Sequence, residues 1–222
     1  LPEGIKYEKS SLSYSANASV LIKDPSNTKS STRLVDAYGG MINRTNVSNE
    51  MLQFRSKTLM MDVVDRLHAN VSYMTRDGLR YVELYKASPV IADFSDQLSD
   101  KYVAFSVMPK SDTALVVKTG KQETSISMFD TLKVSGGYVT FTPNWNYDSS
   151  CFGKEIQVSH QPLLSCAKGF ISRMGIAQMG EDASLIHFSI TDSNNDRACD
   201  ILSTLFLAYN DAAVADKNDL IV

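Results

Sequence analysis

The chain has 222 residues, 43% hydrophobic and 21% charged, with a net charge of −3 and a pI near 5.6. This is the composition of an ordered protein long enough to bury a core, as one large domain or two small ones. It argues against a nucleic-acid partner or an anionic-membrane surface, because no basic cluster or stripe occurs, and no apolar run approaches the ~20 residues needed to cross a bilayer.

The sequence begins at Leu1 rather than Met and carries no signal peptide, so it is expected to be a piece of a longer protein. Residues 1–13 read as an extended lead-in. "YSANASVLIKD" (14–24) then forms a strand-like run that breaks at Asp24-Pro25. A polar stretch, "SNTKSST", leads into "RLVDAYGGMINR" (33–44), a helix weakened by Gly39-Gly40. In "SNEMLQFRSKTLMMDVVDRLHA" (48–69), Leu59, Met60, Val63, Val64 and Leu67 make a helical stripe, while Met51 and Phe54 lie off it. The spacing predicts two short helices with a break near Arg55-Ser56 and Ser56 capping the second.

"NVSYMTRDGLRYVELY" (70–85) alternates on both sides of Asp77-Gly78, a hairpin signal. After Pro89 comes "VIADF", then strand after strand: "YVAFSVM", "ALVVKT", "TSISMF" and "YVTFTP", punctuated by Gly136-Gly137 and Pro143. Trp145 sits in a loop, "PNWNYDSS". "EIQVSH" reads as a strand, "LLSCAKGFISRM" as a helix and "ASLIHFSIT" as a strand feeding the last helix.

In that last helix Ala198, Ile201, Leu202, Leu205, Phe206, Tyr209, Ala212 and Ala213 share one stripe. Ser193 or Asn194 supplies its cap, and Asp196 suits its first turn. Without Gly or Pro to stop it, the helix would run about 43 Å from Asn194 to Val222. Strands cluster in the middle and helices at both ends. The fold class is therefore α+β, a mainly antiparallel sheet packed with helices, counted as a single domain over 1–222.

Sites of known chemistry are scarce. Cys151, Cys166 and Cys199 lack a CxxC, so three buried thiols are expected, although an oxidising compartment would permit a Cys151–Cys166 bridge. His68, His160 and His187 share no metal-ligand spacing, and no cofactor or metal is implied. Asn-x-Ser/Thr triplets at Asn17, Asn43, Asn46 and Asn70 matter only in a eukaryotic secretory protein. The lysines after Gly120 and Gly153 are followed by Gln122 and Glu155, and the upstream glycines of a phosphate loop are replaced by Leu115 and Asp148. Ser26-Asn27-Thr28-Lys29 has the SxxK form, Lys118-Thr119-Gly120 is a KTG, and Ser95-Asp96-Gln97 is a poor SDN. A serine acyl-transferase using Ser26, Lys29 and Lys118 would need the serine to open a buried helix. Here the SxxK lies in a Ser/Asn-rich stretch before a Gly-broken helix.

Four segments in order, "ASVLIKD" (18–24), "NEMLQFRSKTLMMDVVDRL" (49–67), "VSYMTRDGLRYVELYKASPV" (71–90) and "SLIHFSITDSNNDRACDILSTLFLAYNDAAVADKN" (184–218), resemble the periplasmic domain of bacterial polysaccharide chain-length determinants. These are the Wzz-type polysaccharide co-polymerases, and the likeness is to the branch fused to a cytoplasmic tyrosine autokinase. The family's Leu-x-Ser-Arg-like helix centre is matched by Arg55, Ser56 and Leu59, with the Arg-Ser order reversed. Its Ala-x-x-(Ile/Leu)-Leu-Asn-x-Leu-x-x-x-Tyr helix is matched by Ala198, Leu202, Leu205 and Tyr209, with Ser203 in place of Asn.

The resemblance implies a membrane-proximal domain on the periplasmic face of the inner membrane. Its last helix would lead into a helical stalk, and membrane spans would lie on both sides, none of them in this chain. It further implies a non-catalytic role. Homo-oligomeric assembly of the parent would regulate the chain length and export of capsule, exopolysaccharide or O-antigen, beside a membrane polysaccharide polymerase and the nascent polysaccharide. Any tyrosine kinase segment would belong to the parent. The helices at 194–222 and 56–68 are the candidate self-association surfaces, and the domain alone is expected to be monomeric. The rival reading is a periplasmic saccharide-binding module whose pocket Trp145, Tyr73, Tyr81 and Tyr85 would line.

Overall fold

The computed structural model describes residues 12–21, 47–180 and 185–219. The helix expected over 33–44 and the stretch holding Ser26 and Lys29 lie outside the described residues. The described chain is α+β, with four helices, three antiparallel sheets and a long C-terminal helix, in agreement with the sequence. The described residues divide into two compact units, 68–163 with 12–14, and 15–21 and 47–67 with 164–180 and 185–219.

The first unit is a two-sheet sandwich. Strands β2 (Val71–Asp77), β3 (Arg80–Glu83), β5 (Val103–Pro109), β6 (Ala114–Thr119), β7 (Gln122–Ser127) and β10 (Ile156–His160) form a six-stranded sheet in the order β3-β2-β10-β5-β6-β7. Strands β4 (Val90–Phe94), β8 (Thr131–Val134) and β9 (Gly137–Pro143) form the second, in the order β4-β9-β8. Alternation decides which face is buried, since successive side chains point to opposite sides. Val103, Phe105 and Val107 on β5 face inward with Ile156 and Val158 on β10, and they meet Val90, Ala92, Val139 and Phe141 of the other sheet in one core. Phe105 and Phe141 cross edge to face with centroids 5.7 Å apart.

Local chemistry explains the joints of this unit. Asp77 pairs with Arg80, leaving Gly78-Leu79 as a two-residue hairpin loop, and Gly78 takes φ +58°, a conformation open to glycine. Gly137 is needed for a different reason: a Cβ there would lie 2.5 Å from Leu98 Cγ, and Leu98 is fully buried. The buried ring of His160 stacks on Phe94, its Nδ1 2.9 Å from the Lys101 carbonyl and its Nε2 3.1 Å from Asn70 Nδ2. A ring protonated at Nδ1 donates to the carbonyl and accepts from the amide, so both nitrogens are satisfied.

The second unit sets helices against a three-stranded sheet. Strands β1 (Tyr14–Leu21), β11 (Met174–Gln178) and β12 (Leu185–Asp192) follow the order β1-β12-β11. The helices are α1 (residues 47–54), α2 (Lys57–Arg66), α3 (Leu163–Arg173) and α4 (Asn195–Asp219). The break between α1 and α2 falls at Arg55-Ser56, as the split stripe predicts. Ser56 occupies the cap position in extended conformation, but its side chain makes no capping hydrogen bond. β12 turns Ile186, Phe188 and Ile190 inward, and α4 packs on β12 and α2 through Ala198, Ile201, Leu202, Leu205 and Ala208. Ala212, expected in the same stripe, is exposed: beyond Tyr209 the helix has less to lie against. Asn194 is the cap, its Oδ1 accepting from the Arg197 amide at 2.9 Å.

Candidate functional site

The motif residues Arg55, Ser56, Leu59, Ala198, Leu202, Leu205 and Tyr209 all fall in the second unit, where they do different jobs. Leu202 and Leu205 are buried in the α4 stripe and Leu59 is half-buried on α2. Arg55 is exposed, and its guanidinium reaches the Ile176 carbonyl on β11 at 3.4 Å. Ser56 ends one helix and starts the next. Tyr209 is the most connected of them. Its ring stacks on Phe54 with centroids 4.2 Å apart, and its hydroxyl donates to the Glu50 carboxylate on α1. Phe54 in turn meets Phe188 edge to face at 4.8 Å and Phe206 at 6.1 Å. Phe54, which fits no stripe of α2, is thus the centre of an aromatic cluster between α1, β12 and α4.

Two ionic clusters flank this cluster along α4. At the start of the helix, the buried carboxylate of Asp192 accepts from Arg197 Nε at 2.9 Å, Arg173 Nη1 at 2.8 Å and the Asn194 amide at 2.9 Å. Burial pushes the neighbouring Cys166 thiol up to about 11, outweighing the two arginines that would lower it. About one turn past the core stripe, Arg66 on α2 bridges Asp62 of its own helix at 2.8 Å and Asp211 of α4 at 2.6 Å. Those two carboxylates hold the Arg66 guanidinium well above its ordinary range, the Asp62 hydrogen bond foremost. The helix is therefore fixed in direction at three levels: its cap, the aromatic stack, and the exposed ion pair.

The acyl-transferase motif cannot be assembled from the described part. Lys118 lies one residue before the end of β6, near the Gly120 turn and 3.4 Å from Glu123 across the hairpin. Ser95 accepts from the Tyr138 amide at 2.9 Å and so joins two backbone segments. Ser26 and Lys29 lie outside the described residues. Among the described residues no group of three or more His, Cys, Asp or Glu is placed to hold a metal, and no helix is long and apolar enough to cross a membrane.

The aromatic residues of the rival reading do not share one pocket. Tyr73 and Tyr85 are buried, Tyr81 stands on the opposite face of the β2–β3 pair from Tyr73, and Trp145 is 82% exposed at a loop tip. Burial pushes the Tyr73 hydroxyl up to about 12, and that oxygen accepts the Ala92 amide at 2.9 Å. The Trp145 loop is held by Asn144, whose amide donates to the Lys86 and Ser88 carbonyls, and by Asn146, which donates to Ala87.

The thiols also depart from expectation. No disulfide joins Cys151, Cys166 or Cys199, and the first two are buried, but Cys199 is exposed because it lies off the α4 stripe. Asn17 is exposed on β1, and Asn70 is engaged with His160.

The open face of the six-stranded sheet was not legible as a site. It holds a depression of about 350 Å³ lined by Met74, Tyr102, Ala104, Ser106, Lys118 and Gln157, among others. Register puts these side chains together: Gln157 lies between Met74 and Ser106, and Ser106 faces Lys118.

Compared with protein-family models and with curated proteins, the chain matches none.

Proposed function

We propose that this chain is a non-catalytic extracytoplasmic domain of an inner-membrane polysaccharide co-polymerase. Its parent would regulate the chain length and export of a capsule, exopolysaccharide or O-antigen through homo-oligomeric assembly. The reading rests on the motif resemblance, and one structural observation supports it best. The helix that carries the family-like motif is anchored firmly at its root and presents apolar residues further along. Leu207 and Val214 are 60% and 59% exposed and lie seven residues apart, hence about 20° apart around the helix. Apolar positions one heptad apart on an unburied helix face are what a helix-to-helix contact between copies uses.

A head-to-tail contact of this kind closes into a ring without any reacting group. The function then depends on stiffness and direction, which the Asp192, Phe54 and Arg66 contacts supply. The parent's membrane spans, polymerase partner and kinase segment belong to the same proposal.

The test is genetic. Removing the gene from its host and separating the surface polysaccharide by gel electrophoresis should replace a defined modal length with a broad, altered distribution. An unchanged length profile would exclude the reading.

A further inference from the structure

The outer face of the six-stranded sheet has an unusual floor for a surface exposed to water. An antiparallel sheet with one solvated face ordinarily covers it with long polar side chains. Here the centre of the face, on β5 and β10, carries Ala104, Ser106 and Ser159, with Gln157 beside them. Longer side chains stand around this low floor: Tyr102, 65% exposed, Met74, Lys118 and Glu155. The result is an open trough across β2, β10, β5 and β6, about 14 Å wide at the usual strand spacing. Its volume of about 350 Å³ falls at the lower end of ligand sites, which span roughly 300–1,000 Å³.

The chemistry of the lining selects among ligands. Lys118 donates, Glu155 accepts, and Gln157, Ser106 and Ser159 do both. Against the Lys118 cation stand the Glu155 carboxylate in the trough and Glu123 beside Lys118, so charge does not favour an anion. Aromatic faces at the rim, Tyr102 and the Tyr81 ring whose hydroxyl lies 3.5 Å from Gln157 Nε2, add apolar surface with polar edges. Neutral, vicinal hydroxyls on a ring with apolar C–H faces match that set: they accept from Lys118, donate to Glu155 and stack on tyrosine.

From this juxtaposition we infer that the outer face of the six-stranded sheet binds a short run of an uncharged saccharide chain. The inference deepens the proposed function by naming what the sandwich would touch. It rests on that reading for the source of the ligand, and on the trough for the ligand's chemistry.

Titration of the isotopically labelled chain with a panel of uncharged hexasaccharides (maltohexaose, cellohexaose, laminarihexaose and xylohexaose), with oligogalacturonate as the anionic control, tests it by NMR. At least one uncharged member should give saturable amide shifts at Ala104, Ser106, Gln157 and Ser159. Tyr102→Ala should weaken that binding by about tenfold. Ala104→Trp, which fills the floor, should abolish it while amide positions in the second unit stay unchanged. Trp145→Ala should leave it intact. No saturable response to any uncharged member at millimolar concentration, a response to oligogalacturonate alone, or shifts centred on Trp145 would overturn the inference. Those failures are distinct from failure of the chain-length reading: loss of the trough's binding leaves the polysaccharide-length phenotype to stand, and an unchanged length profile leaves the binding result to stand.

Discussion

The ring of Phe54 stacks on that of Tyr209 with centroids 4.2 Å apart and planes 25° from parallel, joining α1 to α4 across 155 positions of sequence. Phe54 is 1% exposed and also touches Phe188 and Phe206. Removing the ring takes away both its transfer free energy and the packing of three neighbours. Phe54→Ala should cost about 3–5 kcal/mol, measured as the shift of the urea unfolding transition. A cost below 1 kcal/mol, on the order of a surface substitution, would mean the cluster does not anchor α4.

Glu50, which accepts from the Tyr209 hydroxyl, adds a pH dependence to the same joint. Burial of the Glu50 carboxyl raises it above the ordinary carboxylate range. A carboxyl raised in the folded state binds more protons there than in the unfolded chain, so its contribution to stability is whole below about 4.5 and is lost as pH rises through the folded value. Glu50→Gln removes that loss. Denaturation midpoints of the variant should therefore gain on those of the unaltered protein as pH is raised from 4.5, and a constant difference between the two would contradict the assignment.

Asp192 and Arg197 form a second kind of joint, a buried ion pair with Arg173 at its margin. Asp192→Ala leaves the Arg197 guanidinium buried without its carboxylate and should destabilise the second unit by about 3–5 kcal/mol. Because the penalty comes from the orphaned charge, Asp192→Leu combined with Arg197→Met should recover most of it. Equal losses in the single and double variants, read from unfolding curves, would show that the carboxylate acts chiefly through the Asn194 cap.

In the sandwich, Gly137 is held to glycine by contact rather than by backbone angle. Gly137→Ala places a methyl group 2.5–3.0 Å from Leu98 and Ser95. Overpacking of this size should cost about 1–3 kcal/mol by thermal or chemical denaturation. A neutral result would show that the fully buried Leu98 can move aside.

What the sequence disclosed was mostly local. The Asp77-Gly78 hairpin, the Arg55-Ser56 break and the capped stripe of α4 each depend on neighbours within a few residues, so spacing alone locates them. Strand β8 is only four residues, too short for alternation to register, and β11 follows Arg173 directly without a turn residue to announce it. Which strands share a sheet was beyond reach, because β10 enters between β2 and β5 from far along the chain. The division into two units leaves no linker or shift in composition. Phe54 and Asp192 were invisible for a related reason: one fits no periodic face, the other precedes its helix, and both take their meaning from partners in other elements. The trough followed from register and could not be read from any single strand.

The central claim is that self-association through α4 sets polysaccharide length, and the exposed heptad pair tests it. Full-length protein carrying Leu207→Arg and Val214→Arg should be expressed in the host lacking its own copy, and the electrophoretic length profile of its surface polysaccharide read beside that of the unaltered protein. Both side chains are exposed, so the fold should tolerate the change. The account predicts a smaller detergent-extracted assembly and a loss of the modal length. An assembly of unchanged size with an unchanged modal length would contradict it.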